Sequence, residues 1–311
     1  MESGGREQVL SEIITEVERL RSRGDYEQAQ VVLEEALRKL SGERPPALLL
    51  AQAELFALRG SVDRAKEVLE EIGQAELEER DRLRLSLVRA TVDRQEGRLT
   101  DAQGEAERVL ARARELADEG LACQALYLLG QVELMGGRLA EALNHLEEAR
   151  AKAEVLGDRR SLAGISLKLA ELMAQRGDFA KALELAEQAR EIYRELGLAI
   201  QEERTLYSMG RIARRSGDLK RAEELLGRAL ELSRKLDLTY DSALVSQQLA
   251  LVMLDQDRQD EAEGYLDAAR QIYLRLGMEE RAKVIEEALK ELAVKRLKGR
   301  DPSKEFGRPG I

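Results

Sequence analysis

The stretch that decides the fold is residues 121–156, which read LACQALYLLGQVELMGGRLAEALNHLEEARAKAEVL. Two runs with apolar residues at helical spacing flank a turn at Gly137. One small residue, Gly130, lies seven positions before that turn, and another, Ala142, lies five positions after it. Glycine adopts the left-handed conformation that ends a helix without steric cost, and small residues let two helices approach closely. The stretch therefore predicts a helical hairpin closed by Gly130 and Ala142.

The same pattern recurs along the chain at intervals of 36, 37, 40, 40, 40 and 40 residues. The turn positions are Gly24, Gly60, Gly97, Gly137, Gly177, Gly217 and, without a glycine, Asp257. Alanine follows five residues after every turn position, at Ala29, Ala65, Ala102, Ala142, Ala182, Ala222 and Ala262. A mostly small residue precedes each turn position by seven, at Val17, Ala53, Ala90, Gly130, Ala170, Gly210 and Ala250. A fixed period with two such columns indicates stacked helical hairpins.

The composition agrees with a long helical array. The 311 residues carry 60 acidic and 50 basic side chains, a net charge of -10, and only 3% aromatic residues. A core of Leu, Ala, Val and Ile, with all four prolines near the two ends, predicts an all-α fold. The acidic total argues against general binding to nucleic-acid phosphates.

Two further expectations concern location. No run of about 18 uncharged apolar residues occurs, so we expect no membrane-spanning segment. The single cysteine, Cys123, and the lack of a signal-peptide pattern favour a cytoplasmic protein.

The repeated columns resemble those of the tetratricopeptide repeat (TPR) family. In the fourth unit the matching residues are Leu126, Leu129, Gly130, Gly137, Ala142, Leu146 and Ala149. In the sixth they are Leu206, Met209, Gly210, Gly217, Ala222, Leu226 and Ala229. The 40-residue unit is similar to the longer repeats of kinesin light chain, Leu-Gly-Asn repeat adaptors and bacterial TPR regulators. The resemblance implies a right-handed superhelical solenoid whose first helices line a concave groove for a protein or peptide.

We expect about seven repeat units in a solenoid over residues 7–275, a capping helix over 278–298 and a disordered tail over 299–311. The units are about 7–40, 46–73, 81–117, 121–156, 160–197, 200–237 and 240–276. A cap is needed because a terminal repeat otherwise exposes apolar surface that is meant for a neighbour. The tail contains two prolines and little to bury.

Patterns for catalysis and for metal or cofactor binding are missing from the sequence. The lone histidine, His145, has no second imidazole, and a catalytic dyad with Cys123 is the alternative to two ordinary helix residues. Asp255, Asp257 and Asp260 lack the glycine and glutamate of a calcium loop. No glycine-rich phosphate loop occurs either. We therefore expect a protein that is not an enzyme and that binds no cofactor or metal.

The register of the repeats suggests which residues face the groove. Ten residues before each turn position lie Ile14, Leu50, Leu87, Tyr127, Leu167, Tyr207 and Gln247. Four residues further on lie Glu18, Glu54, Thr91, Gln131, Glu171, Arg211 and Leu251. The Leu and Ile members have an alternative place in the core. Tyr127 and Tyr207 are the stronger candidates, because tyrosine combines contact area with a polar tip.

The first helix of the sixth unit also carries a cluster of arginines around Tyr207, and these suit acidic groups of a partner. The alternative is that they pair with Glu171, Glu202 and Glu203 on the protein itself. The predicted partner-binding residues are Tyr127, Gln131, Leu167, Glu171, Arg204, Tyr207, Arg211, Arg214 and Arg215.

Two functions fit this sequence. The first is a protein–protein interaction scaffold or adaptor that holds a protein or peptide segment in its groove. The second is a regulatory sensor that binds a signalling peptide or small ligand and changes its superhelical shape. Nucleic-acid binding would depend only on basic residues near the C-terminus, where just Phe306 is available to stack on a base, so we rank it below both.

Overall fold

The prediction of an all-α fold is confirmed. The computed structural model of the chain describes residues 3–22, 25–40, 44–73 and 75–299, and these form fifteen α-helices and no β-strand. The helices are α1 Ser3–Ser22, α2 Tyr26–Lys39, α3 Pro46–Arg59, α4 Val62–Ile72, α5 Glu79–Gln95, α6 Leu99–Glu115, α7 Glu119–Met135, α8 Leu139–Leu156, α9 Arg159–Gln175, α10 Phe179–Glu195, α11 Ala199–Arg215, α12 Leu219–Lys235, α13 Thr239–Asp255, α14 Gln259–Arg275 and α15 Glu279–Gly299.

The helices belong to two compact units. Unit 1 comprises Met1–Arg176 and Glu191–Leu198, and unit 2 comprises Gly177–Arg190 and Ala199–Ile311. Within unit 1, α3 packs on α4, α5 on α6 and α7 on α8. Within unit 2, α11 packs on α12, α13 on α14 and α14 on α15. Helices that are consecutive in the chain are thus packed together, as expected for stacked hairpins.

A residue with left-handed backbone recurs every 20 residues from position 97 to position 277. Within hairpins, the left-handed residue is the predicted turn glycine. In the last hairpin, which lacks that glycine, Asp257 adopts the left-handed conformation with a φ of 60°. The links between hairpins use it as well, including Ala117 and Asp237, which are not glycines. The turns within hairpins were therefore predictable from the glycine spacing. The equally regular left-handed residues in the links between hairpins were not predicted.

The two columns of small residues are buried where the hairpins close. All seven alanines of the column after the turn are fully buried. In the other column, a Cβ added to Gly130 would lie 2.5 Å from Leu146 Cγ, and one added to Gly210 would lie 2.5 Å from Leu226 Cγ. Both leucines are completely buried, so the helix backbones approach closely at these glycines and the leucines fill the space.

The C-terminal helix α15 lies close to the predicted span of 278–298. Its Ala282 and Ile285 are buried, in keeping with a helix that covers the end of the repeats. Gly299 belongs to α15 rather than to the predicted tail, and residues 300–311 lie outside the described residues, as does Gly24. The proposed repeat boundaries stay predictions.

Across the described part of the chain, no helix is both long enough and apolar enough to pass through a membrane.

Candidate functional site

Four of the predicted partner-binding residues lie on two helices of unit 1. Tyr127 and Gln131 are on α7, Leu167 and Glu171 are on α9, and all four side chains are half-buried. Gln131 and Glu171 line a small open cleft of about 140 Å³. Pockets for free small ligands are typically about 300–1,000 Å³. The cleft is therefore sized for one side chain of a larger ligand.

Tyr127 belongs to a pair of tyrosines whose hydroxyls converge on Gly164 of α9. A Cβ added to Gly164 would lie 3.2 Å from the Tyr127 hydroxyl and 3.5 Å from the hydroxyl of Tyr193. Tyr193 is on α10, is buried, and lies in the stretch that belongs to unit 1. Burial raises the pKa of both tyrosines, so both stay protonated and able to donate. Neither Tyr193 nor Gly164 was predicted, because no sequence pattern separates them from other helix residues.

Two arginines flank this tyrosine pair. Arg94 on α5 lies on the Tyr127 side, lines the cleft with Gln131, and has a buried Nε with no hydrogen-bond partner. Arg160 on α9 lies on the Tyr193 side, with its guanidinium carbon 5.0 Å from the centroid of the Tyr26 ring. Burial lowers the pKa of both arginines, which means that their charges are partly removed from water.

Neither arginine forms an ion pair with any residue that the structure describes. Arg94 Nη1 makes a weak hydrogen bond to the Met135 sulfur at 3.9 Å. A half-buried cation is normally paired, because removing it from water costs free energy.

Two other half-buried cations of unit 1, Arg84 and Lys168, have carboxylate partners. Arg84 donates from Nε and Nη2 to the two carboxylate oxygens of Glu54 at 2.8 Å each, and Arg21 also bonds to Glu54. Burial raises the pKa of Glu54, but the charges of Arg21 and Arg84 outweigh this effect and lower it overall. Lys168 is likewise 2.9 Å from Glu171. Arg94 and Arg160 therefore differ from the cations around them.

In unit 2, the predicted arginine cluster on α11 is largely engaged by the protein itself. Arg204 lies 3.8 Å from Asp241, and Arg214 lies 2.6 Å from Asp255, both on α13. Arg211 lies above the Tyr207 ring, and Arg215 lies above the Phe179 ring, each 5.7 Å from the centroid.

The alternative that arginines of this cluster pair with acidic residues of the protein thus holds for Arg204 and Arg214. Their partners are Asp241 and Asp255 instead of the glutamates that the sequence suggested. Glu171 pairs with Lys168, and Glu202 is 3.6 Å from Arg190. Glu203 has no hydrogen-bond partner at either carboxylate oxygen.

Glu203 is fully buried on α11. Burial, with a smaller contribution from Asp241, raises the pKa of its carboxyl to about 7, although Arg204 acts in the opposite direction. The equivalent positions in neighbouring units hold Cys123, Ala163 and Ala243, all buried. A glutamate at a repeat position that holds small apolar residues in other units is the sequence signal by which Glu203 could have been predicted to be a buried carboxyl.

A second tyrosine pair, Tyr207 and Tyr273, lies in unit 2 and is surrounded by other side chains. Tyr273 donates to Gln247 Oε1 at 2.9 Å, and its ring meets Tyr240 edge-on with centroids 6.2 Å apart. Arg281 of α15 covers the rings of Tyr273 and Tyr240, at 5.8 and 5.4 Å. Tyr207 is half-buried.

The remaining apolar residues of the predicted groove column divide between core and surface. Leu50 and Leu87 are buried in the core, whereas Ile14 and Leu167 are half-buried.

The two residues of the alternative catalytic dyad have separate structural partners. The Cys123 thiol donates to the Ala149 carbonyl at 3.4 Å, and burial raises the pKa of Cys123 to about 11, so it is not a thiolate near neutral pH. His145 Nδ1 lies 2.8 Å from Glu133 Oε2. Among the described residues, no three His, Cys, Asp or Glu side chains are grouped closely enough to hold a metal ion.

Comparisons with known proteins agree with this architecture. No curated protein matches the sequence significantly. A Rap protein complexed with competence and sporulation factor is 14% identical, with a TM-score of 0.64 over 94% of this chain and 100% of that one. NprR in complex with its cognate peptide NprX is 16% identical, with a TM-score of 0.65 over 99% of this chain and 90% of that one.

A kinesin light chain with nearly identical TPR-like repeats, from Podosopora anserina, is 21% identical, with a TM-score of 0.55 over 65% of this chain and 100% of that one. At these identities the likenesses show the fold alone. Two family models match the sequence itself: a tetratricopeptide repeat model matches residues 14–76, and the model of the MalT-like TPR region matches residues 84–289. With repeats, helices and family models in agreement, the chain belongs to the tetratricopeptide repeat family, in its MalT-like branch.

Proposed function

We propose that this chain is a non-catalytic binding protein that holds a peptide or protein segment on the face of unit 1 formed by Tyr127, Gln131, Leu167 and Glu171. One observation carries the proposal: Gln131 of α7 and Glu171 of α9 line a cleft of side-chain size, and the half-buried Tyr127 lies one helical turn before Gln131 on the same face of α7. Such a surface gives contact area, hydrogen bonds and one anchoring position, which is what an extended segment needs.

The known neighbours support a peptide as the ligand. Rap and NprR, which share the fold over nearly the whole of this chain, are structures with a bound factor and a bound peptide, respectively. The kinesin light chain likeness covers a smaller share of the chain and supports the adaptor form of the proposal. The proposal places the protein in the cytoplasm, since Cys123 is a free thiol.

An adaptor and a sensor differ in the ligand that they bind and in their response to it. An adaptor captures a folded protein through an exposed segment and keeps its own shape. A sensor binds a free peptide and changes the angles between its repeats. Capture from native cell extract, combined with small-angle scattering of the chain with and without its ligand, separates the two.

The experiment compares the parent chain with Tyr127→Ala, and with Tyr265→Ala as the control. Tyr265 is also half-buried but lies on α14, which belongs to unit 2. We expect Tyr127→Ala to weaken ligand binding about tenfold or more, as for a central aromatic contact, and Tyr265→Ala to leave it unchanged. Equal binding by the parent chain and Tyr127→Ala would remove the proposed site.

The arginine cluster of α11, with Arg204, Tyr207, Arg211, Arg214 and Arg215, stays a second proposed contact surface for acidic groups of a partner. Arg211 is exposed, so Arg211→Glu tests this surface directly. Loss of binding in this variant, with Tyr127→Ala unaffected, would move the proposed site to unit 2.

A further inference from the structure

The strongest unexplained feature of unit 1 is its pair of uncompensated arginines. The chain has an excess of acidic residues, and Arg84 and Lys168 nearby each have a carboxylate partner. Arg94 and Arg160 have none among the described residues, although both are half-buried. Because burying an unpaired cation costs free energy, a partner supplied by a ligand would account for both.

The two arginines and the two tyrosines form one row in which each arginine interacts electrostatically with one tyrosine of the pair. Arg94 neighbours Tyr127, whose hydroxyl meets Gly164 together with the hydroxyl of Tyr193, and Tyr193 neighbours Arg160. Arg160 and Gly164 are four residues apart and so share one face of α9. Gly164 matters here because a larger side chain would displace the hydroxyls.

The donors in this row suit an anionic group, and a carboxylate is the anionic group that an ordinary peptide carries. Guanidinium groups offer paired N–H donors that match a carboxylate, and the two tyrosine hydroxyls between them can donate as well. We propose that this row, from Arg94 through Tyr127 and Tyr193 to Arg160, binds a carboxylate of the peptide ligand. The inference rests on the proposed function, and the carboxylate comes either from an Asp or Glu side chain or from the peptide C-terminus.

The test uses two fluorescent libraries of random hexapeptides, one ending in a free carboxylate and one ending in an amide, captured on the immobilised full chain. Retention of acidic sequences from both libraries supports the inference and assigns the carboxylate to a side chain. Retention from the free-carboxylate library alone supports it and assigns the carboxylate to the C-terminus.

The two failures are distinguishable. If retained peptides lack Asp and Glu and come equally from the amide library, the inference is wrong and the proposed function stands. If neither library yields a bound peptide, peptide binding itself fails, and the inference with it.

A double-mutant cycle then assigns the contact to the arginines. We expect Arg94→Gln and Arg160→Gln each to weaken binding of a retained peptide about tenfold, and to have no effect on the same peptide with its acid replaced by the amide. The controls are Arg89→Gln, exposed on α5, and Arg159→Gln, which neighbours Arg160 and pairs with Glu195. Equal effects on the acidic and amide peptides would overturn the inference.

Thermal melting separates binding from folding. Since no carboxylate among the described residues pairs with Arg94 or Arg160, Arg94→Gln should melt at the parent temperature or above it, and Arg160→Gln only slightly below it, because it also loses the contact with the Tyr26 ring. A much lower melting temperature together with lost binding would show that the arginines support the fold instead.

Discussion

The two tyrosine pairs, one in each unit, occupy equivalent repeat positions and have opposite surroundings. Tyr127 and Tyr193 of unit 1 correspond to Tyr207 and Tyr273 of unit 2, two repeats of 40 residues later. Around the first pair lie the small Gly164 and two arginines, Arg94 and Arg160, that pair with no carboxylate in the part of the chain that the structure describes. Around the second lie the buried Glu203 and the stacked side chains of Tyr240 and Arg281.

Three of the substitutions between equivalent repeat positions contribute to this difference. Moving from unit 1 to unit 2, Arg160 becomes Tyr240, Gly164 becomes Leu244 and Leu167 becomes Gln247. The new side chains satisfy the Tyr273 hydroxyl and add bulk beside it. The repeat framework is thus common to both units, while a few positions decide which side chains surround each tyrosine pair.

The largest expected effect is the change in unfolding free energy with pH that is caused by the buried Glu203 of unit 2. Glu203 holds its proton in the folded protein up to about pH 7 and releases it near its ordinary pKa of 4.5 when unfolded. The folded state is therefore penalised as pH rises through this window, by about 2 to 3 kcal/mol once pH exceeds 7. Glu203→Gln removes this penalty, so we expect it to stabilise the protein at about pH 8 and to change little at about pH 4.

Urea unfolding of the parent chain and Glu203→Gln at several pH values measures the effect. The control is Glu202→Gln, whose carboxylate is adjacent in sequence but faces Arg190. Parallel pH profiles for the parent and Glu203→Gln would mean that Glu203 is ionised in the folded protein.

A smaller effect tests whether the framework of the two units is the same. Gly130→Ala and Gly210→Ala each place a Cβ against a fully buried leucine, and we expect each to lose about 1 to 2 kcal/mol of unfolding free energy after the gain in helix propensity. Gly227→Ala is the control, because nothing lies within 4 Å of its added Cβ, and it should gain up to about 1 kcal/mol. Chemical denaturation checks all three, and unequal losses at Gly130 and Gly210 would contradict a common framework.

The smallest expected effect concerns Arg281, whose side chain lies over the rings of Tyr240 and Tyr273 in unit 2. Arg281→Gln removes the cation above Tyr240 and Tyr273, and we expect it to cost about 0.5 to 1 kcal/mol. Lys283→Gln, also exposed on α15, is the matched control. Thermal unfolding measures both variants. No difference between them would show that Arg281 does not stabilise the second pair.

Much of the fold could be predicted from the sequence because hairpin stacking depends on residues at fixed spacing. Small residues beside each turn and larger apolar residues one helical turn further on are local requirements, and they recur in every unit. The links at Ala117 and Asp237 escaped prediction because alanine disfavours the left-handed conformation that the chain adopts there, and aspartate indicates it less strongly than glycine does.

The candidate site could be predicted only in part. Tyr127, Gln131, Leu167 and Glu171 were predicted from their register, since a position in a helix determines which face a residue occupies, and their part in binding stays a prediction. Arg94, Tyr193 and Arg160 were not predicted, because they belong to three different helices that are separated in the sequence.

The amino-acid sequence was enough to establish the helices, their period and the small residues that close each hairpin, because these depend on contacts between near neighbours in the chain. Only the tertiary structure decided which charged groups have partners. Arg84 and Arg94 are both arginines on α5, yet one meets Glu54 and the other meets no carboxylate among the described residues. That difference arises from side chains brought together by packing, and ionic partners are chosen by distance in space rather than by separation along the chain.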